Sequence, residues 1–144
     1  MKNHLLKTSD DYGTGLIRLM VGIVFTSEGI QKFLFPNERG TGRFEELGFP
    51  FPDLFGYFIG SIEIFFGLLL LFGLFTRISS VTTLLLITAA FFTTKVSVFD
   101  EFGFWAMMHG SRTDLCMFMG SLFLIYKGGG FKSFDQYYFK KYSE

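Results

Sequence analysis

The stretch from Leu54 to Phe75 carries one charge, Glu63, in an otherwise uncharged and largely apolar run. Four such apolar stretches cross a chain of 144 residues, and at least three contain an ionisable group. A carboxylate or ammonium at hydrocarbon depth is expensive, so it turns toward other helices and finds a partner there. The pattern predicts a small integral membrane protein with a polar core. Hydrophobic residues make up 49% of the chain, mean hydropathy is +0.38, and Phe is the commonest residue with 22 copies. A soluble domain of this size needs less apolar surface, whereas lipid suits it. The formal charge is zero, so bulk electrostatics gives no reason to expect a nucleic-acid partner.

The spacing predicts one all-α domain over residues 1–144, an antiparallel up-down bundle of four membrane helices at about 15–35, 54–75, 78–99 and 107–126. The first three match the ~20 residues that cross a ~30 Å hydrocarbon core; the fourth is short and must include Arg112 and Asp114. Thr76-Arg77 is a tight link that makes its flanking helices antiparallel neighbours. Residues 36–53 form a longer loop holding Pro36, Pro50 and Pro52, with one interfacial helical turn expected over Arg43–Leu47. A second loop is expected from Phe99 to His109, with Trp105 at the interface. Tails 1–12 and 127–144 lie on one side, where eight of the 13 Lys and Arg residues also fall. The positive-inside bias puts that side in the cytoplasm and the protein in the cytoplasmic (inner) membrane of a bacterial-type cell. The N-terminus lacks a signal-peptide cleavage pattern, and neither end carries a lipidation motif.

This topology gathers charge. Glu28 falls about 10 Å below the outer end of the first helix and Glu63 about 13 Å below the outer start of the second. Lys32, Lys95, Arg112 and Asp114 lie nearer the same surface. Three acids and three bases from four helices therefore share the outer half of the membrane, the neutral set that low dielectric favours. Gly56, Gly60, Glu63 and Gly67 share one helix face; Gly22, Phe25, Gly29 and Lys32 share another; Gly110, Asp114, Met117 and Ser121 give the fourth helix its inward face. A structural reading makes the ions interhelical glue: Glu63 with Lys32 or Lys95, Asp114 with Arg112 or a hydroxyl, Glu28 with Lys32 one turn away. A functional reading makes them a pocket open to the outer surface. Glu63 and Glu28 are then the candidate proton carriers, with His109 able to share protons or touch a ligand. Phe25, Phe65 and Phe66 are placed to line a flat aromatic ligand.

Other chemistry finds little support. The one cysteine, Cys116, excludes an intramolecular disulfide and a CxxC relay and reads as packing. Haem would need an axial ligand at depth, but His4 is in the tail and His109 near the surface. No persuasive metal set is present. Gly128-Gly129-Gly130 reads as a helix terminator and hinge.

The residues resemble the DoxX family of four-helix membrane proteins from Arg18 to Asp135. Arg18, Gly22, Gly29, Gln31 and Lys32 match its first-helix pattern, and Gly60, Glu63 and Gly67 followed by Leu71–Arg77 match its second. Gly128-Gly129-Gly130-Phe131-Lys132-Ser133-Phe134-Asp135 is similar to its Gly-x-Gly-x-x-Ser-x-Asp ending. Many relatives have His where this chain has Glu28, and Glu where it has Asp114. The family takes its name from small subunits of quinone-linked oxidoreductases in thermoacidophilic archaea. The resemblance implies a subunit of a quinone-linked redox system, and the polar cluster (Glu63, Glu28, Gln31, Lys32, Lys95, His109, Arg112 and Asp114) is then the place for the quinone. Electrons would come from a membrane or extracytoplasmic redox partner, since no redox-cofactor ligand is visible. Two other readings are a non-enzymatic scaffold pairing through its glycine faces, homo-oligomers included, and a small-solute transporter, for which four short helices leave little room.

Overall fold

The computed structural model describes residues 11–143, with side chains through residue 138. Lys2, His4 and Lys7, and the side chains of Lys140 and Lys141, lie outside the described residues. Every regular element among those described is an α-helix. α1 (Tyr12–Leu34) leads through α2 (Pro36–Arg39) and α3 (Thr41–Glu46) to α4 (Pro52–Phe72); α5 (Thr76–Gly110), α6 (Arg112–Lys127) and α7 (Phe134–Ser143) follow. α1, α4 and α5 are long and apolar enough to cross a membrane. At 16 residues, α6 is shorter than the ~20 a crossing requires.

Local chemistry sets the helix ends. Asp11 starts α1 three residues before the expected Gly15: its carboxylate accepts the Gly13 N–H and the Thr14 hydroxyl, both at 3.1 Å. α1 stops before Pro36, and Pro52 opens α4 as a first-turn proline. The third helix runs beyond its expected end. Rather than looping from Phe99, α5 continues to Gly110, broken only at Gly103 with φ 80°. Residues 99–110 hold no proline and several good helix formers, so helix persists on both sides of Gly103, a residue that tolerates this φ. Consequently α6 begins at Arg112 rather than near Met107.

Glycine faces bring α1 against α4, the most closely packed pair. The faces expected from spacing are buried: Gly22, Phe25 and Gly29 on α1, and Gly56, Gly60, Glu63 and Gly67 on α4. A Cβ at Gly29 would stand 2.6 Å from the Gly60 carbonyl oxygen, so only hydrogen fits. α5 packs on α4 and α6, and α6 returns to α1, closing a cycle around Val21, Phe25, Leu70, Met117 and Leu124. The buried face of α6 is Met117, Gly120, Ser121 and Leu124; Gly110 is exposed. Outside this small core the surface is apolar, with Leu16, Ile23, Leu85 and Phe92 all exposed, as a lipid-facing surface requires. Cys116 is exposed on α6 and does not pack inward.

At one end of the molecule the chain closes a clasp. Asp135, 2% exposed, accepts the N–H groups of Phe75 and Thr76, each at 2.8 Å, and so caps α5 from 60 and 59 residues away. Its own N–H donates to the Gly73 carbonyl at 2.9 Å. Arg77 donates to the carbonyls of Ile125 (2.6 Å) and Tyr126 (3.0 Å), fastening α5 to the end of α6. Arg18 is buried beside Gly73 and Ser133. These contacts give Arg18, Arg77 and Asp135 a structural task at the opposite end of α1 and α4 from Lys32 and Glu63.

Candidate functional site

The close α1–α4 crossing places Lys32, on the last turn of α1, opposite Glu63. Lys32 Nζ donates to Glu63 Oε2 at 2.6 Å, with the two side chains 13% and 10% exposed. Of the two partners expected for Lys32, Glu63 across the helices is the one it meets, and not Glu28 on its own helix. Around it lies a cleft. A deeper cavity of about 320 Å³ is lined by Glu28, Lys32, Glu63 and Asp114, and a wider one of about 530 Å³ extends toward α3. Glu28, Lys32, Arg39, Glu63, Leu86 and Ala90 line both, making one continuous space.

Lys95 enters from α5. Its Nζ donates to the Gly110 carbonyl at 2.9 Å and lies 3.4 Å from Asp114 Oδ2. That oxygen is buried and accepts no directed hydrogen bond, so the Lys95–Asp114 contact is a charge pair without hydrogen-bond geometry. Lys95 takes the place expected for Arg112. The break between α5 and α6 turns Arg112 outward, where its Nε donates to the His109 carbonyl at 2.8 Å and its Nη2 meets His109 Nε2 at 3.2 Å. Both are exposed and neither lines the cleft. Gln31 also stands apart, donating to Ser27 Oγ at 3.1 Å along its own helix. Glu28, Lys32, Glu63, Lys95 and Asp114 thus meet around one space, while Gln31, His109 and Arg112 do not.

Two contributors were hidden from the sequence. Arg39, on α2, lines both parts of the cleft, although nothing in its neighbourhood distinguishes it from an ordinary loop cation. Phe44, Phe49 and Phe55 line the wider part and pack on one another, with centroids 5.4 Å apart for Phe44–Phe49 and 5.3 Å for Phe49–Phe55. They take the role expected of Phe65 and Phe66, which pair edge to face at 5.2 Å away from the cleft. Phe25 does line the deeper cavity. Among the described residues, no three His, Cys, Asp or Glu side chains converge as metal ligands would. An aromatic wall above paired carboxylates and ammoniums can hold a flat ring and move protons at its edge.

Comparison with known proteins agrees with a membrane setting. The DoxX family model matches residues 13–96. An uncharacterized membrane protein of Mycobacterium tuberculosis (H37Rv), Rv3486, is 44% identical over 126 residues, covering 83% of this chain and 77% of that one. CatD of Bacillus subtilis (strain 168), which carries a provisional oxidoreductase name, is 31% identical over 136 residues, covering 94% of this chain and 93% of its own. No solved structure matches. The matched residues take in α1, α4 and the Glu63–Lys32 pair that their glycines bring together, and the chain belongs to the DoxX family.

Proposed function

We propose that the chain is a small subunit of a quinone-linked redox system in the cytoplasmic membrane, a single antiparallel four-helix domain with both termini in the cytoplasm. The carrying observation is the cleft: a Lys32–Glu63 pair at 2.6 Å on its floor and the Phe44–Phe49–Phe55 wall above it. A volume of about 530 Å³ suits a ligand of one or two rings. Two electrons from a partner protein and two protons turn a quinone into its quinol. This chain's part is to stack the ring on the trio, donate from Lys32 to a ring oxygen, and pass protons through Glu63 and Glu28. The oxidoreductase name of CatD supports the redox assignment. Equilibrium dialysis of a tailless quinone, menadione, against the detergent-solubilised protein tests it. The reading expects saturable binding that Phe49→Ala weakens roughly tenfold, the order of one lost aromatic pair. Absence of saturable binding overturns it.

A further inference from the structure

A second space touches the cleft from the side. Between α5 and α6 lies a groove of about 310 Å³, apolar almost throughout, lined by Phe91, Phe92, Met108, Leu115 and Phe118. Two residues, Ile87 and Asp114, line both this groove and the deep polar cavity, so they form the partition between them. The exposure of Phe92 and Leu115 opens the groove to the apolar surface of the molecule. Asp114 Oδ2, buried in the partition and held to Lys95 at 3.4 Å by charge alone, makes no hydrogen bond and can accept one from the hydroxyl of a quinol head.

We propose that the ligand of the cleft is a tailed amphiphile taken sideways from the bilayer, its hydrocarbon chain lying in the α5–α6 groove and its head turned past Asp114 toward Glu63 and Lys32. This deepens the quinone reading and rests on it. An apolar groove facing lipid is ordinary; one that shares a carboxylate wall with a charged cavity is not. Hydrocarbon leaving lipid for a protein groove gains no hydrophobic transfer energy. The groove therefore acts by holding the tail still and so orienting the head.

The test compares menadione with menaquinone-4, the same ring carrying four isoprene units, on wild-type protein and on Leu115→Trp, which fills the groove. Taking the ratio of variant to wild type for each probe cancels partition into the micelle. The proposal expects at least a tenfold loss for menaquinone-4 and less than a twofold change for menadione. Equal effects on both probes, or none on either, overturn it while leaving the ring site standing; failure of both probes to bind wild type overturns the ring site as well. Should Leu115→Trp not fold, a menaquinone analogue with a diazirine at its tail end is photolysed on wild-type protein. Labels on Phe92, Leu115 or Phe118 support the proposal. Labels only on the Phe44–Phe55 wall, or cross-linking through the groove to a second copy of the chain, overturn it.

Discussion

Removing both members of the Lys32–Glu63 pair should cost less than the two single removals summed. At an effective dielectric of about 20, unit charges 2.6 Å apart attract by about 6 kcal/mol, most of it offset by the desolvation of groups only 13% and 10% exposed. Loss of one partner keeps the desolvation and forfeits the attraction, an expected cost of about 3 kcal/mol. The two single changes are not equivalent. Lys32 sits on the last turn of α1 and can extend its stem toward the surface when Glu63 is neutralised, whereas Glu63, 8% exposed on the glycine face of α4, cannot follow. Lys32→Met should therefore destabilise more than Glu63→Gln, and the double variant should recover about 3 kcal/mol of their summed cost. Reversible unfolding in mixed detergent micelles, followed by helical circular dichroism, gives the four free energies of the cycle. Costs that add within about 0.5 kcal/mol would refute the pairing.

The other expectations concern parts outside the cleft. Gly29→Ala places a methyl 2.6 Å from the Gly60 carbonyl oxygen and should destabilise by about 1–3 kcal/mol in the same assay. Gly13→Ala, whose methyl meets only Asp11 at 3.5 Å, should be neutral or stabilising by up to about 1 kcal/mol. Asp135→Ala leaves the Phe75 and Thr76 amides without acceptors and should cost about 2–3 kcal/mol, with amide exchange accelerated first at those two residues. The Asp11 carboxyl is held below its ordinary range by the Gly13 N–H, then by the Thr14 hydroxyl. Its stabilisation is thus full above the unfolded aspartate value, near pH 4, and is lost as pH falls through the lower folded value. The advantage of wild type over Asp11→Asn, read from unfolding midpoints, should vanish in acid; an advantage that grows below pH 4 contradicts the cap.

Much of this was legible in the chain because it depends on spacing. Glycines at Gly22, Gly29, Gly60 and Gly67 recur at helical intervals, and that alone predicts which faces meet and that Glu63 points inward. Pairing across helices was less legible. Lys32 has Glu28 within its own helix and Glu63 on another, and only the tight glycine crossing decides for Glu63. Arg112 and His109 fall outside the cleft because helix runs on to Gly110 and α6 starts only at Arg112, where a loop to His109 and a helix from about Met107 are expected from the sequence. The aromatic wall was invisible for a similar reason: Phe44, Phe49 and Phe55 come together by a fold-back of the loop, and 22 phenylalanines give no reason to single out three. Asp135 capping a helix that begins 59 residues earlier leaves no local signature at all.

The most direct test of the account is the quinone content of the protein purified from its membrane in mild detergent, measured by extraction and mass spectrometry beside a Glu63→Gln variant. The account predicts near-stoichiometric quinone in the wild type and a marked fall in the variant. Folded protein without quinone in either sample would contradict a quinone site in the cleft and leave the Lys32–Glu63 pair as a joint between helices.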